Sequence, residues 1–220
     1  MQVMQNLRAG VRLTCFFLFT LLCIPFFAAE RIRRMPRRVV GFWFRTSNRI
    51  FGIYSLVSGR ASHDGPLLYV VNHVSYLDIL ALGAHLDAVF VAKRDIAGWP
   101  LLGRLAKTGQ CIFISRRRVH LKSEIETIRS TLVSGRNVIL FPEGTTGCGA
   151  SLLPFKSSLL AAVEHIPGMC VQPVSIAYPD VANGGPDITL AWYGDMTLLP
   201  HLWRLIRRVC APARIHFHTV

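Results

Sequence analysis

Two short polar clusters in this 220-residue chain carry the residues best suited to chemistry, and each directly follows an apolar run. The first is Asn72-His73-Val74-Ser75-Tyr76-Leu77-Asp78, after LLYVV. The second is Pro142-Glu143-Gly144-Thr145-Thr146-Gly147, after VILF. Histidine is the usual general base near neutral pH, and a base works best when a carboxylate holds its other nitrogen. If His73 lies in a turn and Asp78 in the first turn of the helix that follows, the two side chains converge. A satisfied core pair or a helix N-cap is also consistent with this spacing. Glu143 and Gly144 offer a carboxylate and a flexible backbone whose N–H groups suit a substrate hydroxyl, a phosphate or an oxyanion. An N-cap made by Thr145 or Thr146 is the structural alternative.

Two basic positions join these clusters. Arg116-Arg117-Arg118 follows the run CIFIS, and Arg116 is nearest to its end. Arginine suits bidentate phosphate binding, whereas Arg117 and Arg118 read as a solvated run. Lys156 follows Pro154-Phe155 and is placed to meet an anionic headgroup. The chain has no G-x-S-x-G, no P-loop lysine motif, no H-E-x-x-H and no complete G-x-G-x-x-G. A base without a protein nucleophile points to direct attack by a substrate hydroxyl or by water.

The elements that must position these groups alternate along the chain. Strands are expected at Leu67–Val71, Ala88–Ala92, Cys111–Ile114, Val138–Leu140, Val171–Ala177, Ile188–Trp192 and Arg214–Phe217. Helices are expected at Asp78–His85, Leu121–Val133, Phe155–Glu164 and Leu198–Val209, with a partly helical connection over Ile96–Lys107. Such alternation predicts an α/β fold, a mixed and partly parallel sheet flanked by helices. Function then gathers at the carboxyl ends of the strands, where both polar clusters sit.

Charge separates the chain into two parts. The net charge is +13, from 25 basic and 12 acidic residues. Residues 1–60 hold ten arginines against the single acid Glu30, so most of the excess lies there. Within them Leu13–Ala29 is uncharged, Arg8 and Arg12 precede it, and Arg31, Arg33, Arg34, Arg37 and Arg38 follow it. A cleaved signal peptide, a membrane anchor and a buried core helix compete for this stretch. Arginines directly after the apolar run oppose export, which favours an anchor, spanning or interfacial. The positive-inside rule places the basic flank, and the body after it, in the cytoplasm at the inner membrane. Gly41–Leu56 reads as a second interfacial helix, with Phe42, Trp43 and Phe44 at headgroup level. A nucleic-acid-binding domain would spread its basic residues over the body, so nucleic acid is not an expected partner. Six scattered cysteines without C-x-x-C fit a reduced compartment.

Together these segments resemble the glycerolipid acyltransferase family, which includes the 1-acyl-glycerol-3-phosphate acyltransferases. The resemblance covers roughly residues 65–180. It rests on the H-x-x-x-x-D block His73 to Asp78, the block Gly109 to Arg116, the F-P-E-G-T block Phe141 to Thr145, and the run around Pro173. Lys93 and Gly98-Trp99-Pro100 match further family features. The resemblance implies a membrane-bound enzyme with an anchor in residues 1–60 and an acyltransferase domain in 61–220. His73 would deprotonate the free hydroxyl of a lysolipid, most simply 1-acyl-glycerol-3-phosphate, for attack on acyl-CoA or acyl-carrier protein. Asp78 would orient His73. Arg116, Glu143, Gly144, Thr145 and Lys156 would bind the acceptor, and Pro173 would shape the pocket. No metal or tight organic cofactor is expected.

One segment departs from the family. Phe155-Lys156-Ser157-Ser158 stands where a second base and a glycine are common, which weakens the case for glycerol phosphate. The segments FPEGTTG…LLPFKSSLL and AWYGDM…HLWRL look like bacterial relatives that acylate lyso-ornithine lipid, a zwitterionic acceptor without phosphate. A non-catalytic membrane lipid-binding protein is a further class, opposed by the intact His73, Asp78 and Glu143.

Overall fold

A computed structural model describes residues 1–33, 38–62, 65–99, 102–115, 117–164, 166 and 168–220, without the side chains of residues 28, 30–33 and 118. In chain order the helices are α1 (Gln2–Arg33), α2 (Arg38–Phe51), α3 (Leu77–Gly83), α4 (Leu102–Thr108), α5 (Leu121–Val133) and α6 (Leu198–Ile206). The strands are β1 (Ile53–Gly59), β2 (Leu67–Val71), β3 (Ala88–Lys93), β4 (Ile112–Ile114), β5 (Asn137–Leu140), β6 (Cys170–Ala177) and β7 (Ala211–Phe217). They form one sheet in the order β1-β7-β6-β2-β5-β3-β4. Every neighbouring pair is parallel except β6 with β7. The expected mixed, mostly parallel α/β architecture is therefore present.

Alternation along the strands separates two cores. Leu67, Tyr69 and Val71 face a core shared with α1, α2, α3 and α6. Leu68, Val138, Leu140, Val89 and Ile112 face the other core, closed by Ile128 and Leu132 of α5 and by Ala162. The central strands are buried on both faces, which is why LLYVV and VILF read as unbroken apolar runs.

Helix α1 is docked along much of its length. Ala9, Phe16, Thr20, Cys23 and Phe27 recur on one face and are buried. Trp43 of α2 donates to Thr20 Oγ1 at 3.0 Å, and Phe16 packs on Phe51 with ring centroids 4.8 Å apart. Near its N-terminus, Arg12 donates to the carbonyls of Ile206, Arg208 and Val209, and Arg8 donates to that of Arg207. These are the orphan carbonyls at the end of α6 and just beyond it. The opposite face exposes Val3, Met4, Leu7, Val11, Leu18, Leu21 and Leu22. Residues Gln2–Phe27 are long and apolar enough to cross a membrane.

Three expected elements differ. Gly41–Leu56 is not one helix, because α2 stops at Phe51 and β1 follows. Gly52 causes the break: its φ is +73°, and a Cβ there would lie 2.7 Å from the Val209 carbonyl oxygen. Ile53–Gly59 then pairs in parallel with Ala211–Phe217. Ile188–Trp192 is a turn and irregular chain, not a strand. Asp187 Oδ1 accepts from Thr189 N and Oγ1, Leu190 N donates to the Asp187 carbonyl, and Trp192 N donates to Val74 O. Leu190 and Ala191 are apolar because they are buried, not because they pair in a sheet. Phe155–Glu164 is reduced to 3₁₀ turns over Ser157–Val163. Lys156 N is drawn to Pro142 O, which fixes the start of the segment outside helical geometry.

Candidate active site

Strands β6, β2 and β5 are adjacent and parallel, so their carboxyl ends open on one edge. β2 delivers Asn72 and His73 there, β5 delivers Phe141 to Gly144, and β6 delivers Tyr178. Asn72 ties the ends of two of these strands together. Its Oδ1 accepts from Ile176 N at 2.7 Å, and its Nδ2 donates to Ile176 O at 2.8 Å.

The His73-to-Asp78 segment wraps around the carboxylate. His73 Nδ1 lies 2.7 Å from Asp78 Oδ2, which also accepts from Val74 N at 2.7 Å and Ser75 N at 3.0 Å. The other oxygen, Oδ1, accepts from the Tyr178 hydroxyl at 2.7 Å. Asp78 has no solvent exposure, so its charge is stabilised by these four donors rather than by water. Burial, then the Asp78 charge and hydrogen bond, push the Tyr178 hydroxyl well above its ordinary range and keep it a donor. Since a carboxylate only accepts, Nδ1 carries the proton and Nε2 is left with the lone pair. The imidazole stacks on Phe141, centroids 4.0 Å apart and planes 15° from parallel, and keeps 18% of its surface exposed. It is a ring held in orientation with one basic nitrogen available to a ligand.

Glu143 braces the backbone of His73 from the other strand. Its Oε1 accepts from His73 N at 2.7 Å, and its Oε2 accepts from Leu153 N at 2.9 Å. Gly147 N returns a bond to His73 O at 2.8 Å. Glu143 is buried, and both its oxygens are spent on backbone donors. Glu143, expected to bind the acceptor, braces two loops through these bonds. Gly144 has φ +71°, and a Cβ there would meet Lys156 Nζ at 3.1 Å, so the exposed Lys156 ammonium lies across a bare glycine. Thr145 is exposed at the mouth, with no helix behind it to cap.

The remaining expectations are placed elsewhere or not at all. Arg116 and Pro100 lie outside the described residues. Lys93 is exposed and paired with Asp95 at 2.6 Å. Pro173 is exposed in β6 opposite Val70, short of the strand end that carries Tyr178. Among the described residues, no three His, Cys, Asp or Glu side chains converge as a metal site would require. Tyr178, which no sequence motif marks, is also a polar group directly after an apolar strand.

A second polar contact braces the segment from behind. The Tyr76 hydroxyl lies 2.9 Å from His201 Nδ1 on α6. Tyr76 also meets Trp192 edge to face at 5.8 Å. Burial raises the Tyr76 hydroxyl and lowers the His201 imidazole, so both stay neutral.

Comparison with known proteins bears on this arrangement. A family model described as Acyltransferase matches residues 55–177. The lyso-ornithine lipid O-acyltransferase of Rhizobium meliloti (strain 1021) is 36% identical over 197 residues, covering 84% of this chain and 66% of that protein. The 1-acyl-sn-glycerol-3-phosphate acyltransferase of Neisseria meningitidis serogroup B is 35% identical over 159 residues, covering 70% of this chain and 60% of that protein. The chain thus spans less than two thirds of the length of each of these two curated relatives. The crystal structure of the 1-acyl-sn-glycerophosphate acyltransferase PlsC from Thermotoga maritima has the same fold, with TM-score 0.63 at 21% identity. That match covers 97% of this chain and 85% of the other.

Proposed function

The chain belongs to the acyltransferase family of glycerolipid enzymes, and from that premise we propose that it moves a fatty acyl group from a thioester donor to the free hydroxyl of a lysolipid. The observation that carries this reading is the His73–Asp78 contact, with Nε2 of an oriented, partly open imidazole left as a base. His73 Nε2 takes the proton of the acceptor hydroxyl as its oxygen attacks the thioester carbonyl carbon. A C–O bond forms, the tetrahedral intermediate collapses, and the C–S bond breaks. The imidazolium returns its proton to the departing thiolate. A positioned base of this kind contributes ~10²–10⁴ in rate, and alignment of the two lipids supplies much of the rest. Asp78 fixes the tautomer and offsets the imidazolium charge, and Glu143 and Tyr178 hold the pair. The donor is acyl-CoA or acyl-carrier protein.

Lyso-ornithine lipid is the acceptor we favour. The match to the Rhizobium relative of that name runs over 84% of this chain, against 70% for the Neisseria glycerol phosphate enzyme. The site mouth offers Lys156 followed by two serines, which suits one carboxylate better than a phosphate dianion. 1-Acyl-glycerol-3-phosphate is the second reading, supported by the Neisseria relative. Incubating the purified full chain with both lysolipids and one labelled acyl donor, followed by thin-layer chromatography, distinguishes them. Loss of both products in His73→Ala is expected. A His73→Ala chain with full activity rules out the base.

In this reading α1 and α2 are the membrane-associating part, and the sheet from β1 onward with its remaining helices is the catalytic part, on the cytoplasmic face of the inner membrane. α1 is held from Gln5 to Phe27, about 33 Å at 1.5 Å per residue, by the end of α6 near its start and by α2 further along. Upright in a bilayer of similar thickness it would drag its polar partners into hydrocarbon. It lies instead in the interface, with the Leu18 and Leu22 face toward the acyl chains.

A further inference from the structure

We propose that α6 is a second lipid-contacting element, its Leu199–Trp203 face seated in the same leaflet as α1. This rests on reading the chain as a membrane-associated enzyme and adds a surface which that reading does not require. Leu199 and Trp203 are one helical turn apart and are 75% and 41% exposed. The other side of the helix, His201, Leu205 and Ile206, is buried. Just past the end of α6, the half-buried Arg207 donates from Nη2 to Gln5 Oε1 of α1 at 3.0 Å. The end of α6 therefore adjoins the first turns of α1, where Val3, Met4 and Leu7 are also exposed. Exposed apolar side chains on two adjoining helices are of the kind that marks an interaction site.

Charge selects the occupant. Arg204 is exposed beside Trp203, and Arg207 and Arg208 follow. The nearby acid Asp187 is already paired with Arg208 at 2.6 Å. An aromatic and arginines bordering an apolar stripe suit headgroup phosphates above acyl chains. A second copy would bring arginine against arginine.

The buried side of α6 gives the contact a consequence. His201, between Leu199 and Trp203 in sequence, meets the Tyr76 hydroxyl at 2.9 Å. Tyr76 lies within the segment that carries His73 and Asp78. One short helix thus faces lipid on one side and braces the reacting loop on the other. Its depth in the leaflet sets how near His73 stands to the hydroxyl of an acceptor whose own chains stay in the bilayer.

Fluorescence of the full chain bound to phosphatidylglycerol vesicles tests this. The intensity lost in Trp203→Phe isolates Trp203 from Trp43, Trp99 and Trp192. With brominated acyl chains in the vesicles that difference should fall by about two-fold or more, while aqueous iodide leaves it unchanged. A Trp203 signal open to iodide and blind to bromine overturns the proposal. So does shielding from both quenchers that grows with protein concentration, which would assign the face to a second copy. Leu199→Glu/Trp203→Glu should float with fewer vesicles than the parent chain. Quenching is read without turnover, so it stands or falls separately from the acyl-transfer assay in detergent.

Discussion

Tyr178 and Asp78, separated by 100 residues in the chain, share a buried hydrogen bond of 2.7 Å. Oδ2 of Asp78 has three donors, whereas Oδ1 is held by the phenol. The carboxylate that orients His73 is thus itself oriented from β6, across the strand pair that forms the site.

Tyr178→Phe removes that donor and leaves Oδ1 buried and underbonded, a cost of about 1–3 kcal/mol. We expect a lower urea midpoint and a fall in kcat of about tenfold with KM little changed, because the loss is one of orientation. The native hydroxyl is held well above 10.0, mainly by burial. The fold therefore keeps a proton that the unfolded chain releases. This stabilisation is complete below about pH 10 and is lost as pH rises past it. Urea midpoints from about pH 8.5 to 10.5 should fall less steeply in Tyr178→Phe than in the parent chain. Equal slopes would mean that Tyr178 does not contribute to the alkaline loss.

Glu143→Gln keeps the shape but replaces one acceptor oxygen with an NH₂ group facing a backbone N–H. One of the two bonds to His73 N and Leu153 N must break. Expected are a stability loss of about 1–3 kcal/mol and a drop in kcat that exceeds any rise in KM. A rise in KM alone, at unchanged melting temperature, would return Glu143 to the role of a headgroup ligand.

Much of the site was legible because its central residues are neighbours in sequence. Asp78 is five positions on from His73, and a turn brings them together. Glu143 was legible as a carboxylate after a strand, but not as a brace, because the N–H groups that occupy it come from His73 and Leu153. Tyr178 was hidden by distance along the chain. β1 was hidden by its surroundings: the aromatic and arginine pattern of α2 runs into IYSLV, and only the backbone at Gly52 divides them. The apolar Ile188–Trp192 misled for the opposite reason, since burial alone makes a sequence resemble a strand.

Lys156→Met tests the mouth of the site. Lys156 is exposed and its ammonium passes over Gly144, so its removal should leave the fold unchanged. KM for an anionic acceptor should rise by up to about tenfold, with kcat nearly constant. Gly144→Ala should cost about 1 kcal/mol or more, because φ is +71° and the new methyl meets Lys156. A lowered kcat in Lys156→Met would place the ammonium at the reacting carbonyl instead.

His201 gives the fold an acid limit. Burial is the main cause that lowers its imidazole below 6.5, and the Arg204 charge adds to it. Tyr76 faces it from the His73–Asp78 segment, and the carbonyls of Ala191 and Thr189 face it from the preceding turn. Below pH 6.5 the unfolded chain takes up a proton that the native ring refuses. The stabilisation is therefore present above pH 6.5 and lost as pH falls below it. His201→Asn can still accept from Tyr76 but cannot titrate. Its melting temperature should be lower than the parent's near neutrality and should fall less between about pH 6.5 and 5. Equal slopes for the two chains over that range would remove His201 as the source of acid lability, leaving the Tyr76 contact as a strut alone.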